Sequence, residues 1–149
     1  NGGMLGFSLY PLHLKDGSNC SLKSFCQMVA DTAELMGVRH VGIGSDLCQD
    51  QPDSVVKWMR NGRWTRDTSG AASSLGAAVF APQPDWFRNN LHFGNIATGL
   101  ADTGFSSAEI DQIMGGNWLD FFARSFGPQD TAQSEAGMVR APRTTSESA

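Results

Sequence analysis

The sequence predicts an α/β fold built around one strand–helix–strand unit. Residues 4–10 (MLGFSLY) form a short apolar run between a glycine pair and Pro11, which is typical of a buried strand. A helical pattern follows over residues 22–36, and a second apolar segment lies at 41–44. Two buried strands joined by a helix of this length predict a parallel pair with a right-handed crossover.

The helix over 22–36 is predicted from its hydrophobic periodicity. Ser21 is placed to cap its start, and Gly37 is placed to end it in a left-handed conformation. The apolar residues recur at helical spacing and form one stripe, which consists of Leu22, Phe25, Cys26, Val29, Ala33 and Met36.

The second strand leads, after Gly44 and Ser45, to a carboxylate, Asp46. The carboxyl ends of parallel strands are where α/β enzymes place catalytic groups, so Asp46 is a candidate catalytic residue. A simpler interpretation is a loop acid that caps a turn. From these residues alone, the simpler interpretation is favoured.

After Asp46 the sequence predicts a long connection, and helices follow it. Residues 47–84 form a connection long enough to predict a functional loop or lid, with one short helix at 53–61. Three further helices are predicted at 95–103, 106–114 and 118–125.

Local signals mark the ends of these last helices. Ser106 and Glu109 form a capping box, Gly115 and Gly116 break the helix, and Asn117 is predicted to cap the final one. We expect the folded part to span residues 1–127 and the polar residues 128–149 to be a disordered tail.

Composition narrows the function classes. The chain has 149 residues, 40% of them hydrophobic and 17% charged, which is ordinary for a globular protein of one domain. Its net charge of −4 argues against a nucleic-acid partner. The cysteines Cys20, Cys26 and Cys48 show no CxxC spacing, so we expect reduced thiols and a cytoplasmic location. No apolar run is long enough for a membrane segment, and no signal-peptide pattern is expected.

The number of strands limits the architecture. Two parallel strands cannot fill a sheet or cover their own edges, so we expect the chain to complete a sheet that is supplied by something else. An independent small α/β domain would need another strand, for which residues 76–80 (GAAVF) are the one candidate.

Three segments carry a family resemblance: NGGMLGFSLYPLHL, HVGIGSDLCQDQPDSVVKWM and GFSSAEIDQIMGGNWLDFF. Taken in order, they resemble the carboxyl-terminal part of the renal (membrane) dipeptidase family of zinc metallopeptidases, closest to bacterial members, over about residues 1–127. The resemblance implies an amidohydrolase-type (β/α)8 barrel that hydrolyses dipeptides. Residues 4–10 would be its seventh strand and 41–44 its eighth.

The same resemblance implies roles for three residues. Asp46 matches the aspartate that ends the last barrel strand and transfers protons beside a two-zinc site. Tyr10 and His13 match positions at the mouth of the barrel where substrate sits. The zinc ligands of the family and its substrate-binding arginine lie on earlier strands, and Asp120 stands where the family commonly has a basic residue.

We therefore expect no zinc to be held by this chain alone. The three histidines, His13, His40 and His92, are also too few and too far apart in sequence for a metal site. The expected partners are a dipeptide substrate and the remainder of the barrel, from the same polypeptide or from a second chain. The alternative is a non-catalytic remnant or interaction module that docks through exposed strand edges and can form a homodimer.

Overall fold

The computed structural model describes residues 2–60 and 79–127. The predicted tail at 128–149 and most of the candidate strand at 76–80 lie outside the described residues, as does the middle of the predicted 47–84 loop. Within the described part, strands β1 (Leu5–Ser8) and β2 (Val41–Gly44) accompany helices α1 (Leu22–Met36), α2 (Asp53–Arg60), α3 (Phe93–Thr103), α4 (Ser107–Asp111) and α5 (Asn117–Phe126). The fold is thus rich in helix, with one small sheet.

The two strands pair in parallel, as predicted. Leu5 is the register partner of Val41, and Ser8 is the partner of Gly44. The first strand is shorter than predicted, and it is partly exposed rather than buried, since the side chain of Leu5 is 37% exposed. The reason is that helices α1 and α5 pack mainly against β2, so that β1 is the less covered strand among the described residues.

Helix α1 begins and ends at the predicted residues. The Ser21 hydroxyl accepts a hydrogen bond from the Ser24 N–H at 3.1 Å, which confirms the predicted cap. Gly37 has a positive φ of 88°, but its ψ of 141° lies outside the left-handed helical region, so that part of the prediction is wrong. Met36 lies at the end of the predicted apolar stripe and is 42% exposed at the last turn of the helix.

The core lies between α1 and α3. Gly99 of α3 makes this close approach possible, because a Cβ there would lie 2.7 Å from the Sγ atom of Cys26 and 2.8 Å from Leu22. The largest fully buried side chains include Phe25, Phe87, Leu9, Ile96, Leu100 and Ile113.

The last helices differ from the prediction at Asn117. The capping box of Ser106 and Glu109 is confirmed, and the chain kinks at Gly115. Asn117, however, is buried inside the first turn of α5 and does not cap it. Its amide nitrogen instead donates to the Val38 carbonyl at 2.7 Å and to the Val41 carbonyl at 2.8 Å. A carbonyl that is removed from water needs a donor, and the Asn117 amide supplies it.

Trp118 completes this contact between α5 and the sheet. Gly6 and Gly42 are register partners, so both lie on one face of the sheet, and the Trp118 ring covers that face. A Cβ on Gly6 would lie 2.9 Å from the ring, and a Cβ on Gly42 would overlap Nε1. The indole N–H donates to the Ile43 carbonyl at 3.2 Å. We call Asn117, Trp118, Gly6 and Gly42 the clamp.

Among residues 2–60 and 79–127, none of the helices has the length and apolar character needed to cross a membrane.

Candidate functional site

A cleft of about 790 Å³ opens at the carboxyl end of the sheet. It brings together the three residues predicted from the sequence, Asp46, Tyr10 and His13. The segments after β1 and β2 supply one side, and residues 80–91 supply the other. Other lining residues include Leu47, Cys48, Gln49, Asp50, Asp53, Phe80, Gln83 and Arg88.

Ser8 joins the predicted residues to one another. Its hydroxyl donates to Asp46 Oδ2 at 3.4 Å, lies 3.0 Å from His13 Nδ1, and accepts from the Tyr10 backbone N–H at 3.1 Å. We call Ser8, Tyr10, His13 and Asp46 the edge cluster. Sequence reasoning missed Ser8, although its place at the carboxyl end of the first strand was a usable signal.

Asp46 has an unusual backbone. Its φ is 50°, in the left-handed region that residues other than glycine seldom occupy. Aspartate tolerates this conformation better than most residues, and such positions cluster at functional sites. The backbone therefore turns immediately after β2, and the Asp46 carboxylate stays exposed at the mouth of the cleft.

Tyr10 and His13 are held by the turn that follows β1. A single 3₁₀ turn spans Pro11–His13, and the His13 N–H donates to the Tyr10 carbonyl at 2.8 Å. The two rings pack edge to face, with centroids 5.2 Å apart and an interplanar angle of 76°. This contact restrains the imidazole, while His13 remains exposed to the cleft.

The opposite wall is tied to the segment after Asp46 by two backbone contacts. The Asn90 N–H donates to Gln49 Oε1 at 3.1 Å, and the Phe80 N–H donates to Asp53 Oδ1 at 3.0 Å. The described lining carries the carboxylates of Asp46, Asp50 and Asp53 and one guanidinium, Arg88, which is paired with Asp85. The described lining is therefore net negative and offers more acceptors of charge-assisted hydrogen bonds than donors.

The described residues do not fit a metal site. Among them, no group of three or more His, Cys, Asp or Glu side chains converges. His40 donates from Nδ1 to the Gly3 carbonyl at 2.8 Å, before the start of β1, and His92 Nδ1 accepts from the Arg88 N–H at 3.0 Å. The three histidines thus serve separate parts of the fold.

The cysteines divide between core and cleft. Burial raises the pKa of the Cys26 thiol to about 11, with a further contribution from Asp102. Burial, assisted by Asp16, also raises the pKa of Cys20. Both are consistent with inert core thiols, as predicted for Cys26. Cys48 is exposed and lines the cleft.

Comparison with known proteins supports the fold alone. No family model matches the chain, and no curated protein matches it. A crystal structure of an amidohydrolase from Pseudomonas aeruginosa superposes with a TM-score of 0.72 and 20% identity over 85% of this chain. The chain spans 37% of the length of that protein. The fold therefore resembles part of that structure, and the comparisons give no support to the dipeptidase family itself.

Proposed function

We propose that this chain is the carboxyl-terminal portion of a zinc-dependent dipeptidase with an amidohydrolase-type barrel. In this proposal β1 and β2 are the last two strands of the barrel, and the other strands come from the same polypeptide or from a second chain. The three unpaired cysteines suit the cytoplasmic location expected for it.

One observation carries the proposal. Asp46 follows the carboxyl end of a parallel strand, has a left-handed backbone, and faces a cleft within a fold shared with an amidohydrolase. In such folds this is the position from which side chains act on substrate.

The proposed role of Asp46 is proton transfer. Its carboxylate takes a proton from the water whose oxygen bonds to the peptide carbonyl carbon. It then delivers that proton to the nitrogen as the C–N bond breaks, which releases two amino acids. This carboxylate is exposed at the mouth of the cleft, and among the described contacts Ser8 is the residue that donates a hydrogen bond to it.

Tyr10 and His13 are proposed to contact the dipeptide. Both line the cleft beside Asp46, and their edge-to-face packing gives the substrate a fixed wall. The cleft volume of about 790 Å³ is ample for a dipeptide.

The two zinc ions of the proposal require ligands that the described residues do not offer. We assign those ligands to the remainder of the barrel, and no step above passes through the metal. Zinc would supply the Lewis acid that polarises the peptide carbonyl and acidifies the bound water.

The zinc content of the purified chain and its activity on dipeptides test directly whether the active site is incomplete in this chain alone. We expect no stoichiometric zinc by elemental analysis and no cleavage of dipeptides, including those with a D-residue at the carboxyl end. About two zinc ions per chain, with an activity that Asp46→Asn abolishes, would overturn the claim that the site is incomplete. The absence of a His-x-Asp pair of metal ligands both from the upstream reading frame and from any second chain that copurifies would overturn the claim of a dipeptidase barrel.

The exposed first strand favours a second candidate function. The carbonyls of Val41 and Ile43 in β2 are already bonded by Asn117 and Trp118, whereas Leu5 of β1 is 37% exposed. An interaction module would therefore dock through β1. Light scattering after size-exclusion chromatography separates the candidates: a chelator-insensitive homodimer favours the module, and a chelator-sensitive complex with a second polypeptide favours the split enzyme.

A further inference from the structure

The Ser8 hydroxyl has to satisfy three neighbours with one proton. It lies 3.1 Å from the Tyr10 N–H, 3.0 Å from His13 Nδ1 and 3.4 Å from Asp46 Oδ2. A serine hydroxyl offers one donor and two acceptor lone pairs, so all three contacts can be made at once in only one arrangement.

Two of the three neighbours have no choice of role. The Tyr10 backbone N–H can only donate, and the ionised Asp46 carboxylate can only accept. The hydroxyl proton therefore goes to Asp46, because a charged acceptor attracts it more strongly than a neutral ring nitrogen does. The remaining lone pair faces His13, so Nδ1 of the neutral imidazole must carry its proton.

We propose that Ser8 is a positioning residue that orients the Asp46 carboxylate and holds His13 in the Nδ1–H tautomer. The catalytic role of Ser8 rests on the proposed function, whereas the assignment of the His13 tautomer does not depend on it. Ser8 contacts neither the substrate nor the attacking water in this account and acts only through its two partners.

The tautomer determines what His13 offers to a ligand. With Nδ1 occupied, Nε2 is left with its lone pair and acts as a hydrogen-bond acceptor on the cleft lining. The neighbouring carboxylates are acceptors as well, and Arg88 is paired with Asp85. The chemical group that fits beside His13 is therefore a nitrogen donor, such as an amide N–H or an ammonium.

The other two histidines provide internal references for both tautomers. His40 donates from Nδ1 to a carbonyl, so its neutral ring must be Nδ1–H. His92 accepts a backbone N–H at Nδ1, so its neutral ring must be Nε2–H. A single spectrum of the whole chain thus contains a standard for each state.

Long-range ¹H–¹⁵N correlation spectra of the ¹⁵N-histidine-labelled chain provide the test. Spectra recorded at about pH 9 keep the imidazoles neutral, since histidine ordinarily titrates near 6.5. We expect His13 to match His40 in the wild type and in Ser8→Thr, and to move toward the His92 pattern in Ser8→Ala. Ser45→Ala is the matched control, because the Ser45 hydroxyl accepts only from the Leu47 N–H at 3.3 Å among the described contacts.

Either of two results would overturn the assignment. One is an Nε2–H pattern for His13 in the wild type, and the other is an unchanged Nδ1–H pattern in Ser8→Ala. The His40 and His92 signals report whether each variant is folded. If Ser8→Ala does not fold, the wild-type spectrum still decides the tautomer of His13. None of these results depends on dipeptide cleavage, so failure of the proposed function would be recognised separately.

Discussion

The clamp and the edge cluster are two parts of the same small sheet, one on its face and the other at its carboxyl end, and they are built in opposite ways. In the clamp, Asn117 is 3% exposed and Trp118 rests directly on glycine backbone. In the edge cluster, a few strand positions further on, Asp46 and His13 are exposed and Asp46 has a strained backbone.

This difference indicates that the clamp contributes to stability and that the edge cluster contributes to chemistry. Buried polar groups that are fully paired stabilise a fold strongly, because losing one partner leaves the other unsatisfied. Exposed polar groups contribute little to stability and remain available to a ligand. We therefore expect substitutions in the clamp to unfold the chain and substitutions in the edge cluster to leave it folded.

The largest effect is expected for Asn117→Asp. The carboxylate cannot donate to the Val38 and Val41 carbonyls, and it places a charge in a buried site. We expect the free energy of unfolding to fall by about 3 kcal/mol or more in urea denaturation. Asn95→Asp is the matched control, because the exposed Asn95 amide donates to a single carbonyl, that of Trp86. Equal losses in both variants would contradict the special role of the clamp.

Gly42→Ala is expected to have the next largest effect. The new methyl group would overlap the Trp118 ring and displace the indole from the Ile43 carbonyl. A loss of about 1–3 kcal/mol is expected from overpacking, with a changed tryptophan emission spectrum. Gly44→Ala is the control, because its Cβ would meet only the Phe7 carbonyl at an ordinary 3.6 Å. A Gly42→Ala variant as stable as Gly44→Ala would show that Trp118 does not rest on the sheet.

A smaller effect on the free energy of unfolding is expected at alkaline pH, and it comes from Cys26 in the core. The pKa of Cys26 is raised from 9.0 to about 11 in the folded chain, so between these values the unfolded chain loses a proton that the folded chain keeps. Stability must therefore fall as the pH rises from 9 towards 11. Cys26→Ala should reduce this slope by an amount on the order of 1 kcal/mol per pH unit, because the Cys26 side chain is fully buried in the folded chain. If Cys26→Ala leaves the slope of stability against pH unchanged, the Cys26 thiol is exposed to solvent in the folded chain.

The smallest effect is expected in the edge cluster. Asp46→Asn keeps a residue type that tolerates the left-handed backbone. Ser8→Ala removes two exposed contacts and one half-buried contact, that with the Tyr10 N–H. Both variants should unfold within about 0.5 kcal/mol of the wild type in urea. Losses comparable to that of Gly42→Ala would mean that the edge cluster is structural, and the comparison between the two regions would fail.

Local sequence signals predicted the elements but not the polar contacts between them. The Ser21 cap, the Ser106 capping box and the bounds of α1 depend on residues within one turn, so the sequence is sufficient for them. Tyr10 and His13 were expected beside Asp46 only from the family resemblance, and the structure places all three on one cleft at the carboxyl end of the parallel strands. The contact of Ser8 with Asp46 and the contacts of Asn117 with Val38 and Val41 were missed because these partners are distant in sequence, and only the packing of the elements brings them within reach.

The most direct test of the central claim is the effect of Asp46→Asn on dipeptide hydrolysis in the polypeptide that carries this chain together with the remainder of the barrel. We expect that polypeptide to hydrolyse dipeptides with zinc bound, and Asp46→Asn to lower kcat by about 100-fold or more while the zinc content and the free energy of unfolding stay unchanged. An Asp46→Asn variant with wild-type kcat would contradict the assignment of proton transfer to Asp46.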